Sequence, residues 1–217
     1  MTGLREAYFR NGYAHLRSLI DVESCRLMMH RIKSDCGDAP LPLSARKEFP
    51  NLLVRPAFEV YGPLYPPLDA FLWGLTPMVS HLTGLMLAPT YCYFRLYREG
   101  DRCRVHSDRQ SCEHSLSLTL DYSDGEAWPL EVSAERLAAP DAQVSDGFGT
   151  APSTAVAMAV GDAVLYQGTH HRHGRTAPNP NGWSAHLFLH WVDRNGPYAD
   201  FAHDRRDVPP PVNFSFA

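Results

Sequence analysis

Chemistry in this chain concentrates in two short stretches. The first is His106-Ser107-Asp108. In an extended segment, residues i and i+2 point to the same face, so this imidazole and carboxylate can reach one ion from a single strand end. The second is Gly168-Thr169-His170-His171-Arg172-His173, directly after a predicted strand ending at Tyr166. One imidazole from that tract would complete a set of two histidines and one carboxylate. Such a facial set leaves positions open on an octahedral metal and suits non-haem Fe(II) better than the thiolate-rich sets of structural zinc. Taken singly, an HxD triplet is common by chance and a His-rich tract is often a solvated loop. Their joint placement at strand ends in a β-rich pattern makes the metal reading the stronger one.

The elements that must position these residues follow from periodicity. A short strand is predicted over 13–20, with Asp21 as the N-cap of a helix carrying Cys25, Met28, Met29 and Ile32 and stopped by Gly37. Residues 39–63 are proline-rich and irregular and read as a surface loop with substrate contacts. A second helix is predicted over 67–83, where Leu68, Phe71, Leu72, Leu75, Val79 and Leu82 form an apolar stripe. Pro67 suits its first turn, Gly84 its C-terminal exit, and Pro77 should kink its middle.

The period then changes to two. Residues 90–97 place Tyr91, Tyr93, Arg95 and Tyr97 on one strand face and Cys92, Phe94 and Leu96 on the other. Further strands are predicted over 104–108, 114–122, 128–132, 156–160, 163–166 and 185–192, with Gly161-Asp162 as a hairpin turn and 138–153 as an excursion. Two helices followed by this strand series predict an α+β chain whose bulk is a β-sandwich or jelly roll. A single domain over 1–217 is expected: a helical support region (1–84), a core (85–193) and a C-terminal tail (194–217). The prolines of 208–212 should keep the tail out of any central strand.

Composition narrows the function classes. The chain has 217 residues, 44% of them hydrophobic, enough for a sizeable core. A formal net charge of −4 disfavours a strongly basic nucleic-acid binder. Eight of its 11 histidines lie from His106 onward, whereas Lys33 and Lys47 are the only lysines. That leaves little room for Schiff-base or P-loop lysine chemistry. Five cysteines without a CxxC pair argue against both a disulfide framework and a zinc knuckle. Neither a leader-type N-terminus nor a membrane-length apolar run is evident, so a cytoplasmic protein with reduced thiols is expected.

At these residues the sequence resembles the iron(II)/2-oxoglutarate-dependent oxygenase superfamily, nearest its prolyl-hydroxylase-like and phytanoyl-hydroxylase-like branches. The matching stretches are Pro89-Thr90-Tyr91-Cys92-Tyr93-Phe94-Arg95-Leu96-Tyr97, Gly100-Asp101, the HxD triplet with Arg109-Gln110-Ser111-Cys112-Glu113, Trp128-Pro129-Leu130, Gly161-Asp162-Ala163-Val164-Leu165-Tyr166 and Phe188-Leu189-His190-Trp191-Val192. The resemblance implies a double-stranded β-helix (jelly-roll, cupin-like) core with the N-terminal helices packed on one sheet. It implies Fe(II), 2-oxoglutarate and O2 as cofactor and co-substrates, and His106, Asp108 and His173 as metal ligands and catalytic residues. His173 is chosen because it follows the Gly-Asp turn by about a dozen residues and precedes an arginine by two; His171 is its rival.

The family also places a cation for the distal 2-oxoglutarate carboxylate about ten residues after the distal histidine. Here that register holds Trp183, Ser184 and Ala185. The sequence offers instead Arg175 and Arg95, with His186 as an imidazolium and Tyr93 and Tyr97 as phenolic donors. Arg109 and Glu113 read as a strand-end pair, and His114 and His203 as ordinary polar surface. The resemblance with a retained Asp108 favours hydroxylation of an unactivated C–H bond, of a small molecule, an amino acid or a peptidyl residue, with 2-oxoglutarate decarboxylated to succinate; desaturation and cyclisation use the same ligands. Rival readings are a cupin-like metal enzyme without 2-oxoglutarate, a non-catalytic metal-binding sandwich, and a nucleic-acid dealkylase served by Arg95, Arg98, Arg102, Arg104 and Arg109. The acids Glu99, Asp101 and Asp108 interrupt that last arginine series.

Overall fold

The computed structural model describes residues 2–38, 44–45 and 52–205. It opens with a helix absent from the sequence reading, α1 (Thr2–Asn11). Its apolar residues are too sparse to form a stripe, yet Tyr8 is buried in the core. Strand β1 (Tyr13–Leu16) is shorter than predicted, and the chain leaves it through Ser18 at a φ of 47°. Helix α2 (Val22–Asp38) is capped as expected: the Asp21 carboxylate accepts hydrogen bonds from Ser24 N–H at 2.9 Å and Ser24 Oγ at 2.7 Å. Gly37 lies inside its last turn rather than ending it. Helix α3 (Pro66–Thr83) starts one residue earlier than predicted and ends on Gly84, whose φ of 71° is the left-handed exit that glycine supplies without a Cβ clash.

The remaining strands are β2 (Ser44–Ala45), β3 (Phe58–Tyr61), β4 (Leu87–Arg98), β5 (Cys103–His106), β6 (His114–Tyr122), β7 (Leu130–Arg136), β8 (Ser153–Val156), β9 (Ala163–Tyr166), β10 (His171–Arg175) and β11 (Trp183–Asp193). They form two antiparallel sheets, ordered β1-β9-β6-β11-β4-β3-β2 and β5-β10-β7-β8. This is the α+β, jelly-roll architecture that the sequence pattern predicts.

Four details differ from the sequence reading. The segment 39–63 is not loop throughout, because β3 pairs with β4 there, matching Val60 to Phe94. The strand expected over 156–160 is β8 and ends at Val156. Gly161-Asp162 is no hairpin turn, since β8 and β9 belong to different sheets; the turn carries the chain between them. The His-rich tract is partly strand β10, and its polar side chains conceal that from a hydrophobic-periodicity reading. The first 84 residues thus supply strands as well as helices. The proline-rich stretch 208–212 and Phe49 lie outside the described residues.

Strand β6 shows how this sheet divides its labour. Leu116, Leu118 and Leu120 are fully buried in the cluster shared with α2 and α3, which also holds Phe94, Leu187, Leu189 and Trp191. Each such leucine contributes about 1.5–3 kcal/mol by leaving water. Trp191 Nε1 donates to Thr76 Oγ1 at 2.9 Å and so ties β11 to α3. The opposite face of β6 presents Ser115, Ser117 and Thr119 to the space between the sheets, all at 0% exposure. Buried hydroxyls need partners, and the residues they meet are those of the site.

Candidate metal centre and its cavity

His106 and His173 are register partners across the β5–β10 pair. Side chains directly opposite in an antiparallel pair stand about 4.5–5.5 Å apart at Cβ, and here the two ring centroids are 4.4 Å apart. Asp108, two residues beyond His106, is held by its own N–H donating to Gly168 O at 2.8 Å. A Cβ at position 168 would run into Asp108 Oδ2 and the Cys112 carbonyl, so only glycine permits this approach. Asp108 Oδ1 then lies 3.5 Å from both His106 Nε2 and His173 Nε2.

The protonation pattern suits metal ligation. His106 Nδ1 lies 2.8 Å from the Arg104 carbonyl and His173 Nδ1 lies 2.9 Å from the His171 carbonyl. A carbonyl only accepts, so each Nδ1 carries the proton and each Nε2 directs a lone pair at the Asp108 side. Burial, helped by the neighbouring His173, lowers the His106 pKa and keeps that ring neutral. Asp108 Oδ2 accepts from Ser115 Oγ at 3.0 Å. Metal–ligand bonds of about 2.0–2.2 Å put neighbouring ligand atoms about 3 Å apart. The three atoms, all within 4.8 Å of one another, need little movement to hold an ion.

His171 takes no part in this convergence. The pairing of β10 with β7 is irregular between His171 and His173, so the two rings part. His171 Nδ1 bonds the Ser133 carbonyl at 2.9 Å, and its ring packs against Gly12.

The cluster opens on a cavity of about 710 Å³ whose lining includes Tyr91, Tyr93, Arg95, Tyr97, Arg175 and His190. The expected tyrosine–arginine face of β4 is therefore a cavity wall. Its arginines are not equivalent. Arg95 is buried and ion-paired, with Nε 2.5 Å from Glu59 Oε1 and Nη1 3.0 Å from Tyr97 Oη. Arg175 is 1% exposed and has no acidic partner among the described residues. Its guanidinium lies 5.0 Å over the Trp128 ring, and Nη2 is 3.4 Å from both Ser117 Oγ and His186 Nδ1. Its Nη1 has no hydrogen-bond partner among the described residues. A buried, unsatisfied guanidinium on a cavity wall is costly without an anion.

Several expectations are corrected here. His186 is no imidazolium: burial, then Arg175 and Arg95, hold its pKa well below the usual histidine range. It accepts from Arg175 instead. Arg109 and Glu113 do not pair; Arg109 bonds Asp204 at 2.9 Å and lies over Tyr91, while Glu113 accepts from Asp193 N–H at 2.8 Å. His114 is not surface but 5% exposed, bonded through Nδ1 to Tyr8 Oη at 2.5 Å. His203, by contrast, is half-buried and stacks on the exposed Trp73, which leaves its surface reading standing. Sequence reasoning also missed Glu59, Ser115, Ser117, Thr119 and Gly168. The serine/threonine alternation of β6 was visible, but nothing in it distinguished a buried polar face from a solvated one.

No protein-family model and no curated protein matches this chain. Solved structures do match in fold. The α-ketoglutarate-dependent epimerase SnoN of nogalamycin biosynthesis aligns with a TM-score of 0.70 at 13% identity, over 100% of this chain and 92% of its own. The α-ketoglutarate-dependent carbocyclase SnoK of the same biosynthesis gives 0.68 at 11%, over 89% and 84%. A Pseudomonas putida prolyl-4-hydroxylase gives 0.61 at 16%, over 89% and 98%. The chain thus has the fold of the non-haem iron, 2-oxoglutarate-dependent oxygenases. At these identities the likeness is one of architecture.

Proposed function

We propose that the protein is an iron(II)/2-oxoglutarate-dependent oxygenase that hydroxylates an unactivated C–H bond of a small molecule, an amino acid or a peptidyl residue. The observation that carries this is the pairing, within one cavity, of a two-histidine, one-carboxylate cluster with a buried arginine that has no acidic partner among the described residues. His106 Nε2, His173 Nε2 and Asp108 Oδ1 would hold the iron, and Arg175 would bind the distal carboxylate of 2-oxoglutarate. When bound, iron with 2-oxoglutarate and O2 supplies oxidative decarboxylation to succinate and CO2, one oxygen atom going to the substrate.

The chain's own groups supply orientation and exclusion. The Arg104 and His171 carbonyls fix both imidazoles by their tautomers. Ser115 holds Asp108 Oδ2 and thereby aims Oδ1. Ser117 and His186 position Arg175 with an Nη1 left for an anion, and Trp128 shields it from water. Tyr97 braces Arg95, whose charge Glu59 already answers. The SnoN and SnoK names, an epimerase and a carbocyclase, show that this architecture also serves other oxidative outcomes. The carboxylate at Asp108 fits hydroxylation, and desaturation or cyclisation would use the same ligands.

The five free cysteines suit the reducing, cytoplasmic setting we assign. No helix among the described residues is long and apolar enough to cross a membrane. Anaerobic titration with Fe(II) and 2-oxoglutarate tests the function: a weak visible charge-transfer band should appear in wild type and be lost in Asp108→Ala. Absence of the band in wild type, together with no succinate formation, defeats the proposal.

A further inference from the structure

His190 stands on β11 facing the same cavity, 2% exposed, and none of the roles above uses it. Its Nδ1 lies 2.9 Å from Ser115 Oγ. That hydroxyl also lies 3.0 Å from Asp108 Oδ2 and 3.2 Å from the Cys112 carbonyl. Ser115 has one proton to give, and the carboxylate is the strongest acceptor among its neighbours. With the proton directed to Asp108, the Ser115 oxygen must accept from His190. The imidazole therefore carries its proton on Nδ1 and leaves a lone pair on Nε2. Among the described residues, no hydrogen-bond partner meets that buried Nε2. Burial also pushes the His190 pKa down to about 4, so the ring is neutral near pH 7.

We infer that His190 Nε2 is the substrate-recognising acceptor of this cavity, and that the substrate presents to it a neutral hydroxyl on an apolar or aromatic ring. The surroundings decide the class. The His190 ring lies 4.6 Å from Tyr91, and Tyr93 stacks between Tyr61 and Phe188 at 5.1 and 4.9 Å. These rings form an aromatic wall beside the acceptor. The Arg109 guanidinium lies 4.6 Å over the other partner of that contact, Tyr91. A positively charged donor would be repelled there, whereas a neutral O–H is not. The Ser115 link gives the contact a second effect, because His190, Ser115 and Asp108 form one chain of hydrogen bonds. Seating a hydroxyl on Nε2 polarises that chain toward the carboxylate proposed to hold iron.

This inference rests on the oxygenase reading only in calling the occupant a substrate, and its test needs neither iron nor turnover. In metal-free protein labelled with 15N-histidine, the His190 resonances near neutral pH should show a protonated Nδ1 and an unprotonated Nε2. Phenol should shift the Nε2 resonance, and anisole, which lacks the donor, should not. His190→Phe keeps the ring packing and removes the acceptor. It should weaken phenol about tenfold while changing anisole by less than about twofold. Ser115→Ala should release the tautomer preference. A proton found on Nε2, or equal losses for phenol and anisole in His190→Phe, overturns the inference. If the iron and 2-oxoglutarate titration fails while these results hold, the oxygenase reading falls and the acceptor stands.

Discussion

Arg95 Nε meets Glu59 Oε1 at 2.5 Å, with the two side chains 3% and 1% exposed. The pair joins β4 to β3 and answers the charge of the more conspicuous arginine on the tyrosine-lined face. Among the described residues it leaves Arg175 as the guanidinium of the cavity wall without a carboxylate. Removing one member of a buried pair leaves the other charge uncompensated, at a cost of about 3–5 kcal/mol. Glu59→Ala should lose stability of that order in urea unfolding. A loss below about 1 kcal/mol would show that Arg95 finds other compensation.

Arg175→Met should weaken 2-oxoglutarate binding by about two orders of magnitude, since charge-assisted hydrogen bonds contribute about 1.5–3 kcal/mol each. Arg175→Lys should recover little, because a lysine cannot reproduce the planar fork. Calorimetry on anaerobic, metal-loaded protein reads both. If Arg95→Met is the more damaging change to affinity in protein that remains folded, the anchor has been placed wrongly.

His173→Ala and Asp108→Ala should each abolish stoichiometric Fe(II) binding in anaerobic titrations. His171→Ala should keep it. That variant should instead lose about 1–2 kcal/mol of stability, because the Ser133 carbonyl loses its partner. Metal loss in His171→Ala with retention in His173→Ala would reverse the assignment.

Acid should destabilise the fold through His114. Burial lowers its pKa to about 3, against about 6.5 in the unfolded chain. Between those values the unfolded state binds the extra proton, so stability is present above about pH 6.5 and is lost as pH falls toward about 3. The slope should approach about 1.4 kcal/mol per pH unit. His114→Phe should flatten that part of the urea-midpoint profile, and an unchanged slope would assign the acid sensitivity elsewhere.

Much of this architecture was legible because its signals are periodic. The Leu68-to-Leu82 stripe and the alternation of β4 and β6 were legible because one face of each element is apolar and packs in the core between helices and sheet. The HxD triplet was legible because i and i+2 share a face wherever the chain is extended, although β5 itself ends at His106 and the Gly168 carbonyl holds Asp108 in place. What stayed hidden depends on partners far away in the chain. Nothing local distinguishes His171 from His173, because a register irregularity against β7 separates them. Glu59 looked like loop polarity until β3 placed it beside Arg95. His114 read as surface because its burial depends on Tyr8, in a helix whose apolar residues are too sparse to announce it.

The placement of β5 has a mechanical consequence. It is a four-residue strand at the outer edge of the smaller sheet, paired along one side with β10 and met on the other by isolated bridges to Leu53 and Ser145. A short edge strand closed on one side only by isolated bridges opens more readily than a central strand. The ligand pair His106 and His173 straddles this weak seam, one residue on each strand. An ion shared between them would act as a rivet, so metal occupancy should slow amide exchange in β5 more than in the central strands β6 and β11. Loading the site and closing the edge of the barrel would then be a single event.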